Sequence, residues 1–142
     1  MKKFELTGKF VTNIFGKKLF RIRALVAFGN VEAGELGGYV EKEENLSDDG
    51  DAWVFGNAQV FGDARVFGDD DILHITGLGT VHRTTTVFRT PDGIRIACGC
   101  FYGNLHEFRD QVKKTREGKV QREYLKFADL VEIYFGEDKK DE

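Results

Sequence analysis

Between Gly50 and Leu73 one six-residue unit recurs four times: Gly50-Asp-Ala-Trp-Val-Phe55, Gly56-Asn-Ala-Gln-Val-Phe61, Gly62-Asp-Ala-Arg-Val-Phe67 and Gly68-Asp-Asp-Asp-Ile-Leu73. A repeat constrains a fold strongly, because equivalent units adopt equivalent structure and stack on one another. Ala52, Ala58 and Ala64 stand two residues before Val54, Val60 and Val66, with Ile72 at the same place in the fourth unit. Residues two apart on an extended chain point to the same side, so both positions face one interior. Gly followed by Asp or Asn turns each corner, since Gly accepts positive φ and a short polar side chain bonds the turning backbone. The unit reads as one face of a β-helix.

The pattern resembles the hexapeptide repeat of left-handed β-helices, in which about three units complete one triangular coil. Four units then give little more than one coil. Such a coil has two open ends and needs caps, from the flanking segments or from a second copy. A homo-oligomer, with a trimer favoured, is the expectation. Trp53, Phe55, Phe61 and Phe67 fall outside the Ala and Val register, which predicts an outward or corner-facing aromatic column. Packing is its ordinary use, and a stacking platform for a base or sugar ring is the functional alternative.

The 142 residues suit one domain, 1–142, in five parts: a β-hairpin (1–28), a Gly-rich acidic bridge or cap (29–49), the repeat (50–73), an α+β element (74–136) and a charged tail (137–142). In the hairpin, Lys3 to Val11 and Lys18 to Val26 are joined through Asn13-Ile-Phe-Gly-Lys17. In the bridge, Leu36, Val40 and Leu46 are expected to tuck into the end of the coil. After the repeat come strands at Ile72 to Gly77 and Val81 to Thr90, a Pro91-Asp-Gly93 turn and a return strand from Ile94 to Phe101. Asn104 and Glu107 have capping-box spacing before one helix, and a second apolar stripe runs from Val120 to Phe135 before Gly136. The fold class is therefore mainly β with a C-terminal α part.

Charge is segregated. Residues 1–30 hold seven Lys or Arg against one Glu, residues 31–75 two against twelve acids, and residues 76–142 twelve against eleven. The acidic repeat would repel phosphate, which argues against general nucleic-acid binding and leaves the basic strands for any anion. Arg21 and Arg23 share a face of the first hairpin, and facing of the later strands would bring Arg83, Arg89 and Arg95 near one surface. These five are the anion- or partner-binding candidates, because a guanidinium gives two directed hydrogen bonds to phosphate or carboxylate.

No other chemistry is written plainly. Cys98 and Cys100, one residue apart, fit neither a zinc module with His74, His82 and His106 nor a two-residue-spaced redox pair, so core packing is expected and no metal or cofactor is assigned. Asp48, Asp49 and Asp51 lack the spacing of a twelve-residue calcium loop. An apolar run of about 18 residues is absent, as is an apolar leader after Met1-Lys2-Lys3, so no membrane association and a cytosolic location are expected. No His lies within the four repeats to serve as the general base of a hexapeptide acyltransferase; His74 and His82 follow them.

Leu19-Phe-Arg-Ile-Arg-Ala-Leu25, the stretch Gly34-Glu-Leu-Gly-Gly-Tyr-Val-Glu-Lys-Glu-Glu-Asn-Leu46, the Gly-Asp-Ala units, Phe88-Arg-Thr-Pro-Asp-Gly93 and Cys98-Gly-Cys-Phe101 together resemble a recurrent family of phage and prophage hexapeptide-repeat proteins. The family varies in repeat number, and some members carry transferase-like descriptions. The resemblance implies a phage origin and this architecture, and it carries over no catalytic residue. The expected function is a non-catalytic accessory protein that binds a host protein or a small anionic, nucleotide-type ligand of defence or metabolism. A trimerisation module and a degenerate acyltransferase are the alternatives.

Overall fold

The computed structural model describes residues 2–136, so the charged tail expected at 137–142 lies outside the described residues. The described residues form two four-stranded sheets followed by two helices. In the first sheet β1 (Phe4–Thr12) and β2 (Lys18–Ala24) make the expected hairpin, β3 (Leu36–Val40) pairs antiparallel with β2, and β4 (Gln59–Val60) pairs parallel with β3. The second sheet is the antiparallel meander β5 (Ile72–Leu78), β6 (Arg83–Thr90), β7 (Gly93–Cys98) and β8 (Phe101–Gly103). Helices α1 (Leu105–Thr115) and α2 (Gly118–Phe135) cover one face of it.

The inward register of the repeat holds at every position: Ala52, Val54, Ala58, Val60, Ala64 and Val66 are all buried. A regular left-handed β-helix is nevertheless not shown. Before β5 begins at Ile72, the repeat supplies one two-residue strand, and its backbone there pairs with the bridge before it rather than with further repeats. Val40 stands beside Val60 and Leu46 beside Val66, both parallel and both twenty residues along the chain. The amides of Gly38, Tyr39, Glu41 and Ser47 donate to the carbonyls of Val54, Ala58, Val60 and Val66. Buried Asn45 completes the seam by donating through its amide to Gly62 and Ala64 carbonyls, both at 3.1 Å.

The acidic bridge is therefore the layer on which the repeat stacks. Val40 and Leu46 are buried as expected, whereas Leu36 is 53% exposed. Close approach is made by glycine: a Cβ on Gly38 would stand 2.6 Å from the Ala58 carbonyl oxygen and 2.8 Å from a Val54 methyl. The opposite side of the repeat meets the second sheet, where Arg65 N donates to Arg89 O and Gln59 N donates to Thr86 Oγ1. Both open ends, the physical premise for a trimer, are thus covered within one chain.

The core divides accordingly. Phe4, Leu19, Ile22, Trp53 and the repeat interior form one cluster, reaching Ile72 and Phe88 of the second sheet. Val87, Ile94 and Ile96 pack against Leu105, Phe108, Val112, Tyr124, Phe127, Ala128, Val131 and Phe135 in the other. The Asn104 capping box forms as its spacing predicts, with Glu107 N donating to Asn104 Oδ1 at 2.8 Å and Asn104 N to Glu107 Oε1 at 2.9 Å. Among the described residues no helix is long and apolar enough to cross a membrane.

Candidate functional site

A cavity of about 600 Å³ opens where the two sheets meet, within the range of small-ligand sites. One wall is the tip of the first hairpin. Asn13 Oδ1 accepts from Phe15 N at 2.9 Å and Lys17 N at 3.0 Å, a side-chain-closed turn that holds Ile14 and Phe15 outward over the repeat. The repeat contributes Asn57, Gln59 and Phe61, and the second sheet contributes Thr84 and Thr86 of β6 with Ala97 to Cys100 of β7 and its turn. Phe61 is buried between Phe88 at 5.7 Å and Tyr102 at 5.3 Å, with Phe15 at 6.4 Å above it. Asn13 Nδ2 is buried and has no partner among the described residues. Among the described residues no Asp or Glu lines this cavity.

Arg83, at the start of β6, is the cation of the site. Its guanidinium lies across Gly99, where any Cβ would collide with it, and Gly99 takes φ 59° in the two-residue turn between β7 and β8. Among the described residues the guanidinium meets no hydrogen-bond acceptor or carboxylate. A half-buried, unpaired Arg facing a carboxylate-free cavity keeps its donors for something else.

The other four arginines are already engaged. Arg21 donates to Gly37 O and Tyr39 Oη, both at 2.7 Å, stacks on the Tyr39 ring, and reaches Asn57 Oδ1 only at 3.5 Å, so it braces the cavity rim from behind. Arg23 pairs with Glu5 at 2.9 Å on the surface. Arg89 pairs with Asp71 at 2.9 Å and covers Phe135. Arg95 donates to its neighbouring carbonyl, Ile94 O.

The expected gathering of Arg83, Arg89 and Arg95 on one surface is corrected by the register. Arg95 stands opposite Phe88, on the face away from the helices, whereas Arg89 stands opposite Ile94. Arg83 and Arg89 share a face but are six residues apart, roughly 20 Å along a strand at about 3.3 Å per residue.

Of the expected aromatic column, Phe55 and Phe67 face outward, and the expectation is corrected for Trp53 and Phe61, which are buried. Trp53 is buried against Phe28 at 5.3 Å and Phe4 at 6.4 Å, because it occupies a different place in its unit from the three phenylalanines. Phe55 and Phe67 are exposed at 46% and 56%, so only Phe61 reaches the cavity. Asn13, Phe15, Asn57, Gln59 and Thr84 were not singled out from the sequence as site residues. Their convergence depends on contacts between the hairpin tip, the repeat and β6, which no local pattern encodes.

The remaining chemistry-bearing groups are placed as follows. Cys98 lies half-buried on the helix-facing side, where Thr85 Oγ1 donates to its sulfur at 3.1 Å, and Cys100 is exposed in the turn. Tyr124 Oη lies 3.8 Å from Cys98 Sγ, and burial, with the neighbouring Cys98, pushes the phenol up to about 12. His74 is half-buried with Nδ1 unpartnered, and burial lowers it; neither His74 nor His82 lines the cavity. Among the described residues no group of three or more His, Cys, Asp or Glu is placed to hold a metal ion. No protein-family model, curated protein or solved structure matches the chain.

Proposed function

We propose that the protein is a non-catalytic binding module for a small anionic ligand that carries a planar ring, of the nucleotide class. As the sequence resemblance suggests, it would serve as a phage or prophage accessory protein that withholds such a ligand from a host defence or metabolic process. The observation that carries this reading is Arg83, which among the described residues is unpaired at the edge of a cavity that no Asp or Glu lines. Phe15 and Phe61 offer ring faces, and Asn13, Asn57 and Gln59 offer amides suited to the edge of a base.

The test is a thermal-shift panel of nucleoside mono-, di- and cyclic phosphates, with native mass spectrometry of protein purified from infected cells. A stabilising nucleotide whose effect is lost in Arg83→Ala supports the reading. A flat panel together with ligand-free protein refutes it.

Two finer points belong with this proposal. Residues 36–67 act as a rudimentary β-helix, one bridge layer under one repeat layer, with the parallel pairs at Val40 and Leu46 as its support. Self-association, including a trimer, retains the exposed Phe55 and Phe67 as its support now that the ends of the repeat are covered. Light scattering at micromolar concentration tests it, and a monomer removes it.

A further inference from the structure

Arg83 borders two cavities. Beyond the Gly99 turn, between the second sheet and the helices, a smaller one of about 90 Å³ is also lined by Arg83, together with Arg116 at the C-cap of α1, Gln111 and Tyr124. Arg116 resembles Arg83 in having a guanidinium that meets no carboxylate among the described residues, although Glu117 follows it in sequence. Both guanidinium groups act electrostatically on the Tyr124 phenol, so their positive fields converge on one place. Among the described residues no Asp or Glu lines this second cavity either.

The surroundings reinforce the field. Residues 113–126, which join the two helices, carry six Lys or Arg and two Glu. The negative end of α1 opposes an anion there, but Arg116 N, Thr115 Oγ1 and Gln121 Nε2 already satisfy the Val112, Gln111 and Arg116 carbonyls. Two arginines left unpaired around a space large enough for several waters are a donor set for a tetrahedral oxyanion, because each fork presents paired N–H groups to adjacent oxygens.

We infer that this smaller cavity is a phosphate subsite formed by Arg83 and Arg116, so that the ligand is a phosphate ester whose ring lies in the larger cavity and whose phosphate crosses the Gly99 turn. The link between ring and phosphate rests on the proposed function, whereas the affinity of the subsite for phosphate does not.

The experiment therefore uses two separate probes on the full chain. Inorganic phosphate is titrated at millimolar concentration and followed by phosphorus NMR line broadening, and the uncharged nucleoside adenosine is titrated by calorimetry. Phosphate binding that weakens at least 10-fold in Arg116→Gln, an exposed position where folding is retained, and equally in Arg83→Gln supports the subsite. Phosphate binding with the same affinity in wild type and Arg116→Gln overturns it, as does no binding at 10 mM, a concentration of the order that a weak isolated anion site requires. Adenosine reports on the ring cavity alone. Phosphate binding without adenosine binding keeps the subsite and removes the ring pocket, and adenosine binding without phosphate binding removes the subsite.

Discussion

Replacing Gly38 with Ala puts one methyl group where the bridge and the repeat press together. The new Cβ would stand 2.6 Å from Ala58 O, 2.8 Å from Val54 Cγ1 and 3.2 Å from Phe55 O. Two of these three atoms are backbone, so no rotamer change relieves the contact and the layers must separate locally. Separation also weakens the Gly38 N to Val54 O and Tyr39 N to Ala58 O hydrogen bonds. Overpacking of this kind costs about 1–3 kcal/mol, and for a chain of this size each kcal/mol lowers Tm by roughly 3 °C. The expected loss is therefore about 3–9 °C in a calorimetric melt. Gly68→Ala is the control, because its φ of −144° suits any residue and nothing lies within 4 Å of the added carbon. That variant should hold or gain up to about 1 kcal/mol by restricting the unfolded chain. Equal Tm for the two variants would refute the stacking of the bridge on the repeat.

Further outcomes follow from the same geometry. Val60→Asp places an unpaired carboxylate at a fully buried position and should abolish the cooperative melt measured by circular dichroism. Asn45→Ala removes the donor to Gly62 O and Ala64 O and the acceptor for Lys42 N, and should cost about 2–3 kcal/mol in urea unfolding. Tyr124 holds its proton up to about 12 in the folded protein and releases it near 10 when unfolded, so the folded state binds the extra proton in that window. Its contribution is present below pH 10 and is lost as pH rises from 10 to 12, by at most roughly 2–3 kcal/mol. The stability of Tyr124→Phe should accordingly fall less steeply across that window.

Much of the fold was legible because it is written in short periods. The Ala and Val hexads locate the buried side of the repeat, Pro91-Asp-Gly93 locates a hairpin turn, and Asn104 with Glu107 locates a helix start. The regular β-helix was over-read. Four units cannot supply a second layer, and the layer that exists comes from a segment that echoes the repeat only at Gly38, Val40, Asn45 and Leu46, in step with Gly50, Ala52, Asp51 and Ala52. Gly37 and Gly38 belong to the Gly-rich bridge, and both are buried where backbones meet.

The site was legible only in outline. Period-two alternation places Arg83 and Arg89 on one side of β6, but whether Arg95 of β7 joins them is a matter of register, and that requires the partner strand. Arg83 could be nominated by residue type. Its freedom from acceptors, and the convergence of Phe61, Phe15 and Asn13 beside it, arise from contacts across more than 60 residues of chain.

The most direct test compares two arginines of the same chemistry in calorimetric titrations with whichever nucleotide stabilises the protein most in the thermal-shift panel. Arg83→Gln should weaken binding at least 10-fold with stoichiometry near one per chain in the wild type, while Arg23→Gln, paired with Glu5 outside both cavities, should leave affinity unchanged. Retained affinity in Arg83→Gln, or an equal loss in Arg23→Gln, would contradict a binding site built on Arg83.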